Sequence, residues 1–251
     1  MKAVSKGSLL VGMTLAAIVG VMLLDPIPQP LSYHEFADRR TFVGIPNLFD
    51  VASNLPLLLI GLAGLMQLVA RKLHSDAELR PAIALFYLGV ILTAFGSIFY
   101  HLRPDNASLV WDRLPMTLAF MGLFALVAGE YINLYLGRLL LWPLLTIGIC
   151  SVLWWQYTEQ LGQGDLRFYG LVQFLPMLLL PLVLLLYQRR WSRSTDYWMV
   201  AGWYLTAKLL EFFDRSVYNL TGGVSGHTLK HLAAAMAAWQ LLRMLRKRVR
   251  L

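Results

Sequence analysis

Two stretches of this sequence hold the side chains able to do chemistry. In "GSIFYH" Ser97 and His101 lie four residues apart, "WDRLP" adds Asp112, and "GHTLKHL" sets His227 and His231 four apart. A spacing of four puts both members of a pair on one face of a helix. Ionisable groups within apolar stretches are costly and mark sites of use. Three imidazoles from two helices could close on one metal ion and leave a fourth position open. Three protein ligands plus water is the layout of a catalytic zinc site, whereas structural sites are filled by four protein ligands. The His-x-x-x-His pair lacks the glutamate of HExxH proteases, so an acid/base group must come from elsewhere, and Asp112 is the supplier. The chemistry this points to is metal-assisted hydrolysis. Zinc would acidify water and polarise a carbonyl, while Asp112 takes the proton and later delivers it to the leaving group. Ser97 could bond the developing oxyanion or orient the water.

Each residue also has a plainer reading. His101 alone would be an interfacial polar residue, Asp112 a helix cap or a partner of Arg113, and His227 a cap-region residue beside Gly226. Their meeting at one depth, with His231 a full turn further into the apolar zone, favours the metal site.

The elements that must position these residues are membrane helices. The chain has 251 residues, 58% hydrophobic and 14% charged, against about 25% charged in a typical soluble domain. Apolar runs recur along its whole length, and each span needs roughly 20 such residues. The pattern predicts eight spans, at 8–24, 48–70, 81–100, 114–134, 139–157, 168–187, 197–213 and 227–245. The seventh is short and carries Lys208 and Glu211. Lys2 and Lys6 precede the first, but "VMLLDPIP" offers no small-x-small cleavage site, so this helix reads as an uncleaved anchor. Residues 25–47 form an extracytoplasmic loop and 48–251 the catalytic core.

Fourteen lysines and arginines fall in the loops on the side of the termini, against six on the other side. The positive-inside rule then puts both termini in the cytoplasm and the histidines near the outer face, as suits a bacterial inner membrane. The formal charge of +8 belongs to those loops. No basic stretch is interleaved with exposed aromatics, so no nucleic-acid partner is expected, and nothing points to a protein partner. The lone Cys150 excludes an intrachain disulfide and a CxxC metal site.

Ser97-x-x-x-His101, Asp112 and His227-x-x-x-His231 together resemble the signature of the CREST superfamily, which includes the alkaline ceramidases and the progestin/adipoQ receptors. The likeness is closer to the ceramidases, through "SNLPLLL", "GSIFYH", "WDRLPM" and "GHTLKHLAAA", and covers roughly residue 33 to the end. It implies an all-α integral membrane protein with a seven-helix core, to which the first helix is an addition. It further implies an intramembrane zinc on His101, His227 and His231, with Asp112 and Ser97 beside the water. The implied reaction cleaves the amide of a ceramide-like membrane lipid to a sphingoid base and a fatty acid. Animal members carry a calcium-binding acidic stretch before the first core helix. Here Glu35, Asp38, Asn47 and Asp50 are the comparable donors for Ca2+.

Further polar residues in the apolar runs have local readings. Lys208 and Glu211 are placed for an intrahelical ion pair. Asp214 could orient a ligand histidine by accepting its second ring N–H. Glu130 could meet Lys208 inside the bundle, and Asn54 could satisfy the carbonyl freed by Pro56. The competing functional classes are a CREST-type receptor or sensor, a metal transporter, and a hydrolase of another lipid amide or ester.

Overall fold

The computed structural model describes residues 5–251, and Lys2 lies outside the described residues. The chain is all-helical, with no strand among those residues. The helices are α1 (Lys6–Met22), α2 (Leu48–Ala52), α3 (Leu55–Val69), α4 (Arg80–Leu102), α5 (Asn106–Tyr131), α6 (Leu134–Gln160), α7 (Arg167–Leu186), α8 (Thr195–Phe212), α9 (Asp214–Thr221) and α10 (Gly226–Lys247). Five segments are long and apolar enough to cross a membrane: the α2–α3 unit, α4 with the turn before it, α5, α6 and α7. The α1 helix is as apolar but only 17 residues long. The α8 helix carries Asp196, Lys208 and Glu211, and α10 carries Lys230, Arg243 and two histidines, which lowers their apolarity.

Helix ends follow local chemistry. Asp105 and Ser108 form a reciprocal capping box that starts α5 at Asn106, which satisfies backbone donors with no partner inside the helix. The α5 helix therefore begins eight residues before the sequence-based boundary at Leu114. Asp112 lies two turns inside the helix rather than at its opening, so it caps nothing. Ser225 caps α10 by accepting from the Thr228 N–H at 2.9 Å.

The core runs along α4, which packs between α3 and α5; α5 in turn meets α6 and α7, while α10 packs against α8 and α3. Two glycines let α4 and α5 come close. A Cβ on Gly89 would sit 2.5 Å from the Ala119 nitrogen, and one on Gly96 would sit 1.9 Å from the Trp111 carbonyl oxygen. Small residues at helix crossings let backbones approach closely in an apolar medium. At Gly96 the close approach brings Ser97 beside Asp112.

Candidate metal centre

His101 closes the last turn of α4, and His227 and His231 open α10, so both ligand-bearing helix ends lie at the same end of the bundle. The three rings are buried and converge through Nε2. His101 Nε2 lies 3.3 Å from His227 Nε2 and 3.4 Å from His231 Nε2. Their ligand atoms all fall within 4.8 Å of one another, the one such group of metal-binding side chains among the described residues. Three nitrogens about 2.0–2.1 Å from a tetrahedral centre would be about 3.3–3.4 Å apart. Without a cation, three buried ring nitrogens at this separation cannot all be satisfied by sharing protons. The donor set could hold a metal ion.

Ser97 Oγ lies 3.5 Å from His231 Nε2. Asp112 is buried within reach of the Ser97 hydroxyl. Its neighbour Arg113 points elsewhere. That guanidinium donates to Gln29 Oε1 at 2.5 Å and packs over the rings of Trp155, Tyr169 and Tyr33, so an Asp112–Arg113 pair does not form.

The four residues read as calcium donors do not gather. Glu35 is exposed and faces Arg39 at 3.8 Å. Asp38 is held by Arg40 through two bonds, at 2.8 and 2.7 Å. Those guanidinium hydrogen bonds keep the Asp38 carboxyl below the usual carboxylate range. Asn47, in a left-handed conformation that asparagine tolerates, donates to the His101 carbonyl at 2.8 Å. Asp50 Oδ1 accepts from Thr228 at 2.6 Å and from Ser225 at 3.2 Å. Asn47 and Asp50 thus tie α2 to the ends of both ligand-bearing helices.

Two other expectations are corrected. Asp214 does not touch a histidine ring. It accepts the His227 backbone N–H at 2.9 Å and the Ala37 N–H at 2.8 Å, so it joins the loop to the start of α10. Glu130 does not meet Lys208, because it sits in the last turn of α5 at the far end of the bundle. There it pairs with Arg248 at 2.6 Å and accepts from Tyr197 at 2.7 Å. The Lys208–Glu211 pair forms as expected, but Glu211 also takes Lys230 at 2.7 Å and the Tyr33 hydroxyl at 2.9 Å.

Sequence reasoning missed the side chains that surround the histidines. Phe36, from the loop, is 2% exposed, with its ring centroid 4.5 Å from His227 and 4.7 Å from His101. His34 anchors that loop through Tyr100 at 2.8 Å and Asn106 at 2.7 Å. Ser53 reaches His231 Nδ1 at 2.8 Å. Asn54 stands 3.5 Å from the same nitrogen and donates to the Asp50 carbonyl at 2.8 Å, across the break between α2 and α3. It does not serve the carbonyl freed by Pro56, that of Ala52. The only signal in the sequence was the polar pair Ser53–Asn54 ahead of an apolar run.

Fold and site together define an all-helical protein of the membrane type with a buried trio of histidines able to hold a metal. Comparison with protein-family models, curated proteins and solved structures returned no match.

Proposed function

We propose that this protein is an intramembrane zinc-dependent amidohydrolase that cleaves the amide of ceramide-like lipids to a sphingoid base and a fatty acid. The observation that carries the reading is the convergence of three histidine Nε2 atoms at 3.3–3.4 Å beside a buried serine and carboxylate. The CREST-like motif supplies the substrate class. The topology that goes with it has eight spans, with α1, α8 and α10 joining the five apolar segments. Both termini face the cytoplasm and the histidines lie near the outer face, following the lysine and arginine bias.

His101, His227 and His231 would hold the ion, which supplies Lewis acidity toward the amide carbonyl and lowers the pKa of water. Asp112 accepts a proton from the attacking water as its oxygen bonds the amide carbon. It then returns the proton to the nitrogen as the C–N bond breaks, so an amine and a carboxylic acid leave. Ser97 donates toward the oxygen on which charge develops. Phe36 and its loop keep bulk water from the histidines on the outer side, which strengthens these polar interactions.

The test is metal removal and return. Purified protein stripped by chelation should lose ceramide hydrolysis and regain it with zinc, and His231→Ala should neither bind zinc nor hydrolyse. Hydrolysis that persists in metal-free protein would reject the reading.

A further inference from the structure

A groove of about 910 Å³ runs between α1 on one side and α5, α6 and α7 on the other. Its wall along α6 extends from Leu136 to Trp154, about 27 Å at 1.5 Å per residue. That is close to the roughly 30 Å hydrocarbon thickness of a bilayer. The lining is mostly aliphatic and aromatic; of its three hydroxyls, that of Tyr187 belongs to one end and the other two are already engaged. Thr14 bonds the Leu10 carbonyl and Ser151 the Gly148 carbonyl. Apart from the Cys150 thiol and the Tyr187 end, the slot offers an occupant no polar partner, so the occupant is hydrocarbon along most of its length.

The length and the apolar lining suit acyl chains laid along the slot.

The two ends of the groove differ. At the end nearer the histidines, Arg167 ties α7 to α1 by donating to the Leu24 carbonyl at 2.6 Å, and Leu166 N–H donates to the Ile27 carbonyl at 2.9 Å. At the other end Gly7 and Tyr187 form the rim, with Lys6 Nζ 5.6 Å from the Tyr187 ring centroid. Arg189 is exposed two residues further on, and the lining contains no carboxylate. A rim of cations above an apolar slot suits an anionic headgroup with its chains inside.

We propose that this groove is a binding site for one resident anionic glycerophospholipid, its chains between α1 and α5–α7 and its phosphate at Lys6. The site is separate from the histidine centre and stands whether or not that centre hydrolyses amides. It also gives α1 a role, since α1 packs mainly on α7 with no residue fully buried, and the lipid adds contact with α5 and α6.

Native mass spectrometry of protein purified in mild detergent, with lipid extraction, tests the proposal. The expected result is one phospholipid per chain, enriched in anionic species over the membrane pool. Leu15→Trp with Leu140→Trp fills the slot from two lipid-facing walls and should lower retention about tenfold, or about 1.4 kcal/mol. Val19→Trp, outside the lining, should leave retention unchanged and controls for folding. Lys6→Glu should abolish the anionic enrichment. No retained lipid, equal retention in the slot-filled variant, or retained lipid that mirrors the pool would each overturn the proposal. So would a dimer that dissociates when the slot is filled.

Discussion

The Ser53 hydroxyl lies 2.8 Å from His231 Nδ1 and 3.0 Å from the Asp50 carbonyl oxygen. A carbonyl only accepts, so the single serine proton goes to Asp50 and the serine oxygen must accept from the ring. His231 is thereby fixed with its proton on Nδ1 and a lone pair on Nε2, which faces the other two histidines. This is the tautomer that a metal ligand requires.

Ser53→Ala removes that acceptor and frees the ring. Zinc affinity, measured by competition with a chromophoric chelator, should fall about 10–100-fold, with helical content unchanged. Unaltered affinity would show that the ring is oriented by something else.

Glu211 stands between two half-buried lysines and a tyrosine hydroxyl, a carboxylate shared by α8, α10 and the loop. Glu211→Gln leaves Lys208 and Lys230 facing each other without a counter-charge. Breaking a fully buried pair in this way costs about 3–5 kcal/mol, and this half-buried network should lose less than that. Thermal unfolding in detergent should register that loss, and adding Lys230→Met should recover much of it. A single variant as stable as the parent would mean that water already reaches the pair.

The loop over the histidines depends on pH through Asp38. Its folded carboxyl titrates below the usual range because Arg40 hydrogen-bonds the charged form, whereas the unfolded chain titrates near about 3.9. The unfolded state therefore binds the proton first. The stabilisation is fully present above about pH 4 and is lost as pH falls through the lower folded value. Amide exchange around Phe36 should stay slow from neutral pH to about 4 and accelerate below it. In Asp38→Asn the same amides should exchange faster throughout, and no difference between the two proteins would remove Asp38 from the account.

What could be read from the sequence was the repeating part of the pattern. Spacing of four joined Ser97 to His101 and His227 to His231, and the alternation of spans brought both pairs to one end. Boundaries drawn at charged residues were the weak point. Asp112 and Arg113 read as an edge, yet both are buried within α5, because Trp155, Tyr169 and Gln29 receive the arginine. Glu130 was matched with Lys208 by charge alone, although the two sit at opposite ends of the bundle. Contacts such as Ser53 with His231, or Phe36 with His227, join residues far apart in the chain. No local periodicity encodes them, and they set the tautomer and the seal of the site.

The most direct measurement is product analysis of Asp112→Asn beside the parent protein, each loaded with zinc and given a ceramide panel. The account predicts fatty acid and sphingoid base from the parent. It predicts at least about 100-fold less from the variant, with zinc content equal in the two. Equal turnover at equal zinc would contradict the role given to Asp112, and no amide cleaved by the parent would contradict the amidase itself.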